Sequence, residues 1–207
     1  MDFRHPIDTV IPGTQGRVLA ALLGTSGELN LRTIARVAGI SIAQASRVLP
    51  RLVDLGIVER REVPPSSLFR LVPEHVATRA LLELADARNA VLTEMGRTAS
   101  RIRPAPASVI AFGSFARGDS DLHSDIDVII VRPTDTDADD DRWSATIERW
   151  RTSMSRVAGS TVQILEVDVA EVPAKLSSDA QLWLDVHRDG LVVFGRSLDE
   201  LAVPVRA

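Results

Sequence analysis

The sequence has no cysteine, which excludes disulfide frameworks, thiolate zinc sites and cysteine nucleophiles. Lys175 is its single lysine, and nothing around it points to a catalytic amine. The four histidines, His5, His75, His123 and His187, share no metal-ligand spacing. No apolar run approaches the length of a membrane span. Met1 to Gly13 carries charge and two prolines where a secretion signal would carry an apolar core. A cytoplasmic protein without membrane contact is the expectation.

What is present is ordinary globular material. Hydrophobic residues make up 45% and charged residues 25% of the 207, which excludes a mainly disordered or fibrous chain and leaves one domain or two small ones. The charge is uneven. Residues 1–72 hold nine arginines against six acids, and residues 73–207 hold 15 basic against 22 acidic side chains. A basic front and an acidic back suggest two modules with different partners.

In the front, Thr14 to Gly24 is apolar at Val18, Leu19, Leu22 and Leu23, a helical spacing. Asn30 can cap a second helix with Leu31, Ile34, Ala35 and Ala38 inward. Gly39 supplies a tight turn, and Ser41 can cap a third helix over Ile42–Leu55, where Ala45, Val48, Leu49, Leu52 and Leu55 share one side and Pro50 is a local irregularity. Ile57–Val63 and Leu68–Leu71 read as strands joined by a turn at Pro64–Ser67. This order resembles the winged helix-turn-helix of bacterial transcription regulators. A helix in the major groove needs small and polar outward side chains, here Ala43, Gln44, Ser46, Arg47 and Arg51. Arg60 and Arg61 on the hairpin would meet phosphates or the minor groove of double-stranded DNA. A protein-interaction module that has lost DNA binding is the alternative.

Val76 to Ile102 has no proline, and Ala77, Leu81, Leu84, Val91, Met95 and Ile102 follow a three-four spacing interrupted by Arg88 and Thr98. This predicts one long helix with an apolar seam, serving either a homodimer or packing on its own chain. Pro104-Ala105-Pro106 marks a boundary.

In the back, Ser108–Phe112 reads as a strand, followed by Gly113-Ser114, then about ten residues, then Asp125-Ile126-Asp127 opening a second strand. Carboxylates two apart on a strand share a face, and such a pair is costly unless it holds a cation. Gly113 lets a phosphate approach the backbone, and Ser114 begins a helix whose free N–H groups suit phosphate oxygens. The pattern suits a metal-bound nucleotide. Five aspartates in Asp135–Asp141 read as a solvated loop or a negatively charged helix start, and Trp143 and Trp150 on the Arg142–Val157 helix as core. A helix over Asp179–Asp189 and a strand over Gly190–Gly195 follow.

Gly113-Ser114, Ala116-Arg117-Gly118 and Ser124-Asp125-Ile126-Asp127 resemble the nucleotidyltransferase superfamily, and most closely the small MNT-type minimal nucleotidyltransferases, which include antitoxins. The resemblance implies Gly113, Ser114, Arg117 and Ser124 on the nucleotide and Asp125 and Asp127 on Mg²⁺ or Mn²⁺. It implies transfer of a nucleoside monophosphate, AMP from ATP in the first instance, to a hydroxyl of a toxin-like or other protein or of an RNA end. Active relatives place a third carboxylate on a later strand. Here that strand is Thr161–Val167, the position falls at Gln163, and period-two alternation turns Glu166 to the opposite face unless a bulge intervenes. The rival reading is a regulator or antitoxin whose degenerate domain senses nucleotide or mediates dimerisation.

The expected fold class is therefore α+β: a winged helix-turn-helix over residues 1–75, a long connecting helix over 76–103, and a nucleotidyltransferase-fold α/β domain with a mixed sheet over 104–207.

Overall fold

The structure, a computed structural model, describes residues 1–203; residues 204–207, the end of the expected last domain, lie outside the described residues. The chain forms two compact units. One is His5–Ala87, and the other is Met1–Arg4 together with the described residues from Arg88 onward.

The first unit contains α1 (Pro6–Val10), α2 (Thr14–Leu23), β1 (Leu29–Asn30), α3 (Leu31–Val37), α4 (Ile42–Asp54), β2 (Val58–Val63), β3 (Ser66–Leu71) and α5 (Val76–Ala85). The Asn30 side chain accepts the Thr33 N–H at 2.9 Å, which gives α3 its start. Gly39 turns the chain with φ of +60°. Ser41 and Gln44 then form a reciprocal capping box at the head of α4. Pro50 stays inside α4 without ending it. It lies on the exposed side, and the carbonyl it leaves without an amide partner belongs to exposed Ser46. Val18, Leu19, Leu22, Ile34, Leu49, Leu52, Val58 and Phe69 fill the core, each burial being worth about 1.5–3 kcal/mol. The strands form an antiparallel sheet in the order β1-β3-β2. Ser66 and Ser67 pair with Val63 and Glu62, so the turn is confined to Pro64-Pro65, a correction to the four-residue turn read from the sequence.

The single long helix expected over Val76–Ile102 is also corrected. It is two helices, α5 and α6 (Ala87–Ala99), separated at Asp86. The reason is visible in the side chains. Leu81 packs into the first unit's core, whereas Val91, Met95 and Ala99 are buried along α6, so the apolar seam serves two cores and not one continuous stripe. The break lies next to Arg88, one of the two residues that interrupt the seam. The seam packs on its own chain.

The second unit continues with β4 (Ser108–Phe112), α7 (Gly113–Arg117), β5 (Ile126–Arg132), α8 (Asp141–Ala158), β6 (Val162–Asp168), α9 (Val172–Leu176), α10 (Gln181–Asp189), β7 (Leu191–Gly195) and α11 (Leu198–Ala202). The sheet order is β6-β5-β4-β7, with β4 antiparallel to both its neighbours and β5 parallel to β6. Val128 to Val131 are fully buried, the mark of a central strand covered on both faces. On one face Ile129, Val131 and Val167 pack with Val172, Trp183, Val186 and Leu201 of α9, α10 and α11. The other face carries Glu166 and meets α8. Asp140 caps α8 by accepting the N–H groups of Arg142 and Trp143, which assigns one of the five clustered aspartates a structural use. Among the described residues no helix is long and apolar enough to cross a membrane.

Candidate functional site

Asp127 stands in β5 between two flanks. Its register partner on β4 is Phe112, the residue before Gly113, and its register partner on β6 is Gln163. Gly113 has φ of +71°, and a methyl group placed there would lie 2.8 Å from Asp127 Oδ2. The turn therefore needs glycine twice, for its backbone angle and for the carboxylate that packs on it. Asp125 directly precedes β5 and is exposed. The Gln163 amide donates from Nε2 to Asp125 Oδ2 at 3.4 Å, a long contact.

The Asp127 carboxyl is raised above the usual carboxylate range, first by burial and second by the charge of Asp125. Among the described residues no cation forms an ion pair with either aspartate, and no group of three or more His, Asp or Glu side chains is placed to hold a metal. Two neighbouring carboxylates without a cationic partner are the donor set that a hard divalent cation takes when a ligand's phosphates complete its shell. The residues fit that use.

Glu166 is on the other face. It accepts the indole N–H of buried Trp143 at 2.6 Å, so no bulge brings it to the aspartates. Ser114 sits half-exposed in the first turn of α7. Arg117 turns away from the pair, toward Asp119 at 3.4 Å and Asp189 at 3.3 Å. The Ser124 hydroxyl donates to Asp121 at 2.9 Å and accepts the Asp121 N–H at 3.0 Å, closing the loop that leads into Asp125. The same hydroxyl, then the His123 N–H, lowers the Asp121 carboxyl.

In the first unit Ala43, Gln44, Ser46, Arg47 and Arg51 all line the exposed side of α4. The Gln44 side-chain oxygen accepts the Ser41 N–H at 2.9 Å in the capping box. Among the described residues Arg32, Arg36, Arg47 and Arg51 have no carboxylate partner. The hairpin arginines differ. Arg60 pairs with Glu62 at 2.6 Å, and Arg61 pairs with Glu28. Arg17 on α2 and Arg79 on α5 likewise have no carboxylate partner among the described residues, so α3 and α4 carry four of the unit's six unpaired arginines.

Two families match the chain. Residues 13–74 match the sugar-specific transcriptional regulator TrmB, and residues 93–195 match the nucleotidyltransferase domain. The chain joins a helix-turn-helix domain to a nucleotidyltransferase domain. No curated protein matches it. One similar solved structure is described as "Crystal structure of the toxin-antitoxin with AMP-PNP", at 18% identity and a TM-score of 0.37, covering 53% of this chain and 80% of that one.

Within the second unit, sequence reasoning missed Arg88. Its guanidinium donates to the Phe115 carbonyl at 2.7 Å and to the Ala116 carbonyl, tying α6 to the short helix that begins at Gly113. The available signal was a cation in the apolar seam. Asp121 was also missed, because its role is to hold backbone.

Proposed function

We propose that the chain is a cytoplasmic DNA-binding regulator of the winged helix-turn-helix type whose nucleotidyltransferase domain binds a metal-bound nucleoside triphosphate and transfers a nucleoside monophosphate slowly. One observation carries this reading. Gly113, Asp125 and Asp127 stand together, and an amide, Gln163, stands across from them.

In this reading Asp125 and Asp127 hold Mg²⁺ or Mn²⁺, and Gly113 and Ser114 meet the phosphates of ATP. The ion, when bound, neutralises the triphosphate's negative charge. Binding needs no more than this. Transfer needs a proton taken from the attacking hydroxyl, and an amide has no basic site for it. General-base catalysis is worth about 10²–10⁴-fold, so a domain with Gln163 in place binds well and transfers slowly. The unpaired arginines of α3 and α4 support double-stranded DNA as the first domain's partner, with Arg47 and Arg51 nearest the bases.

The test incubates the full chain with each α-labelled nucleoside triphosphate and Mg²⁺, alone, with total RNA and with proteins encoded beside it. Retained but mostly non-covalent label on the wild type supports the reading. Rapid covalent transfer by the wild type contradicts the slow-transfer part, and no retention contradicts nucleotide binding.

A further inference from the structure

The strand order separates two flanks of β5. β4 and the Gly113 turn lie on one side, and β6 with Gln163 lies on the other. On the β6 side a groove of about 630 Å³ runs from Asp125 to the last turns of α8. It includes His123, Arg151, Thr152, Arg156 and Thr161. Arg151 is held by Glu148 at 2.6 and 2.7 Å. Arg156 has no carboxylate partner among the described residues. Residues 73–207 carry 15 basic against 22 acidic side chains, yet this groove collects two guanidiniums and an imidazole against one carboxylate, Asp125. Among the described residues Leu122 is its only large apolar side chain.

We propose that this groove is the acceptor subsite, and that it takes a hydroxyl compound bearing a phosphate close to the reacting hydroxyl, with Arg156 as its main contact. The proposal rests on the reading of the aspartate pair as a nucleotide site. With the triphosphate on the Gly113 flank, an acceptor in line with the leaving pyrophosphate enters from the opposite flank, where the groove opens on Asp125. Guanidinium is the side chain best matched to phosphate oxygens. The volume lies within the range of small-ligand sites, about 300–1,000 Å³. A protein tyrosine would call for apolar walls, which Leu122 alone does not make. In the step itself, the acceptor oxygen bonds to the α-phosphorus as the bond to the β-bridging oxygen breaks. The electron pair leaves with pyrophosphate, and the hydroxyl proton goes to water.

The phosphate could belong to a polynucleotide or to a small phosphorylated sugar, and the test separates them. Full-length protein with Mg²⁺ is titrated with a labelled single-stranded RNA octamer, with ribose 5-phosphate, with ribose and with a tyrosine-containing peptide. The variants are Arg156→Ala, Arg156→Lys and Arg149→Ala outside the groove. Mg-ATP binding to the wild type is measured in parallel by calorimetry. Arg156→Ala is expected to weaken the phosphate-bearing probes on the order of tenfold, the cost of one charge-assisted hydrogen-bonded contact. Arg156→Lys should restore part of it, and Arg149→Ala should show none of the loss. Tighter binding of the octamer assigns a polynucleotide end, and tighter binding of ribose 5-phosphate assigns a small acceptor. Equal binding by Arg156→Ala and wild type, or preference for ribose or the peptide, overturns the groove proposal while Mg-ATP binding stands. A wild type that fails to bind Mg-ATP overturns the nucleotide reading and the acceptor role with it.

Discussion

Gln163 and Asp125 face each other across the β5–β6 boundary, the amide Nε2 lying 3.4 Å from the carboxylate Oδ2. The parallel register that pairs Gln163 with Asp127 makes this a property of the sheet and not of one flexible side chain. A carboxylate at position 163 would complete a triad of acids around one point. An amide there keeps the aspartates in place and adds neither charge nor base.

Replacement of Gln163 by Glu or Asp should therefore raise nucleotidyl transfer, by up to about 10²–10⁴-fold if a general base is the only missing part. Rates are compared with a matched acceptor and labelled ATP. Glu166→Ala should leave transfer unchanged but lower the melting temperature. It strands the indole N–H of fully buried Trp143, a loss of about 1–3 kcal/mol. Transfer that depends on Glu166 and ignores position 163 would reverse the assignment.

Asp127 gives a pH signature. Its carboxyl is raised by burial and by Asp125. A raised folded-state value means a contribution to stability that is present at pH below the unfolded value and is lost as pH rises through the folded one. Asp127→Asn should accordingly melt higher than wild type at neutral pH without metal, and the gap should close as pH falls below about 4. Thermal melts at a series of pH values, from acid to neutral, check this. A variant less stable than wild type at neutral pH would show that the charged carboxylate is supported by further contacts.

Gly113→Ala tests the other flank. The left-handed backbone costs a residue with a side chain about 1–2 kcal/mol, and the added methyl would press on Asp127. A lower melting temperature and weaker Mg-ATP affinity together are expected. A variant equal to wild type in both would contradict the packing of Gly113 on the carboxylate.

The sequence made some of this legible and hid the rest for a physical reason. Gly113, Asp125 and Asp127 are readable because their spacing along one strand-turn-helix-strand unit is local. Gln163 is readable through the family resemblance, which implies a third carboxylate at that position of a later strand, and period-two alternation then turns Glu166 to the opposite face. The partners of Glu166 and Arg88 are not readable, since Trp143 and the α7 carbonyls come from distant segments and no periodicity links them. The break at Asp86 was hidden because each half of the seam keeps helical spacing while serving a different core. The partners of the hairpin arginines are not readable either, since Arg60 meets Glu62 along an exposed strand and Arg61 meets the remote Glu28. Gln44 lies outward as read, and its side-chain oxygen also accepts the Ser41 N–H of the cap.

Those pairings sharpen the expectation for DNA. Arg47→Ala and Arg51→Ala should each weaken double-stranded DNA binding and make it less salt-dependent, because a free guanidinium displaces counterions. Arg61→Ala should do less, since Arg61 must first leave Glu28. Anisotropy with the protein's own upstream DNA at several salt concentrations decides this. A larger effect at Arg61 than at Arg47 would place the contact on the hairpin, and no DNA binding at all would favour the interaction-module alternative.

The most direct test of the account is calorimetry of ATP binding with and without Mg²⁺, on the wild type and on the double variant Asp125→Asn, Asp127→Asn. Binding by the wild type is expected only when Mg²⁺ is present, with no measurable binding by the double variant under either condition. Equal, metal-independent binding by both proteins would contradict it, because the aspartate pair would then not be what holds the nucleotide.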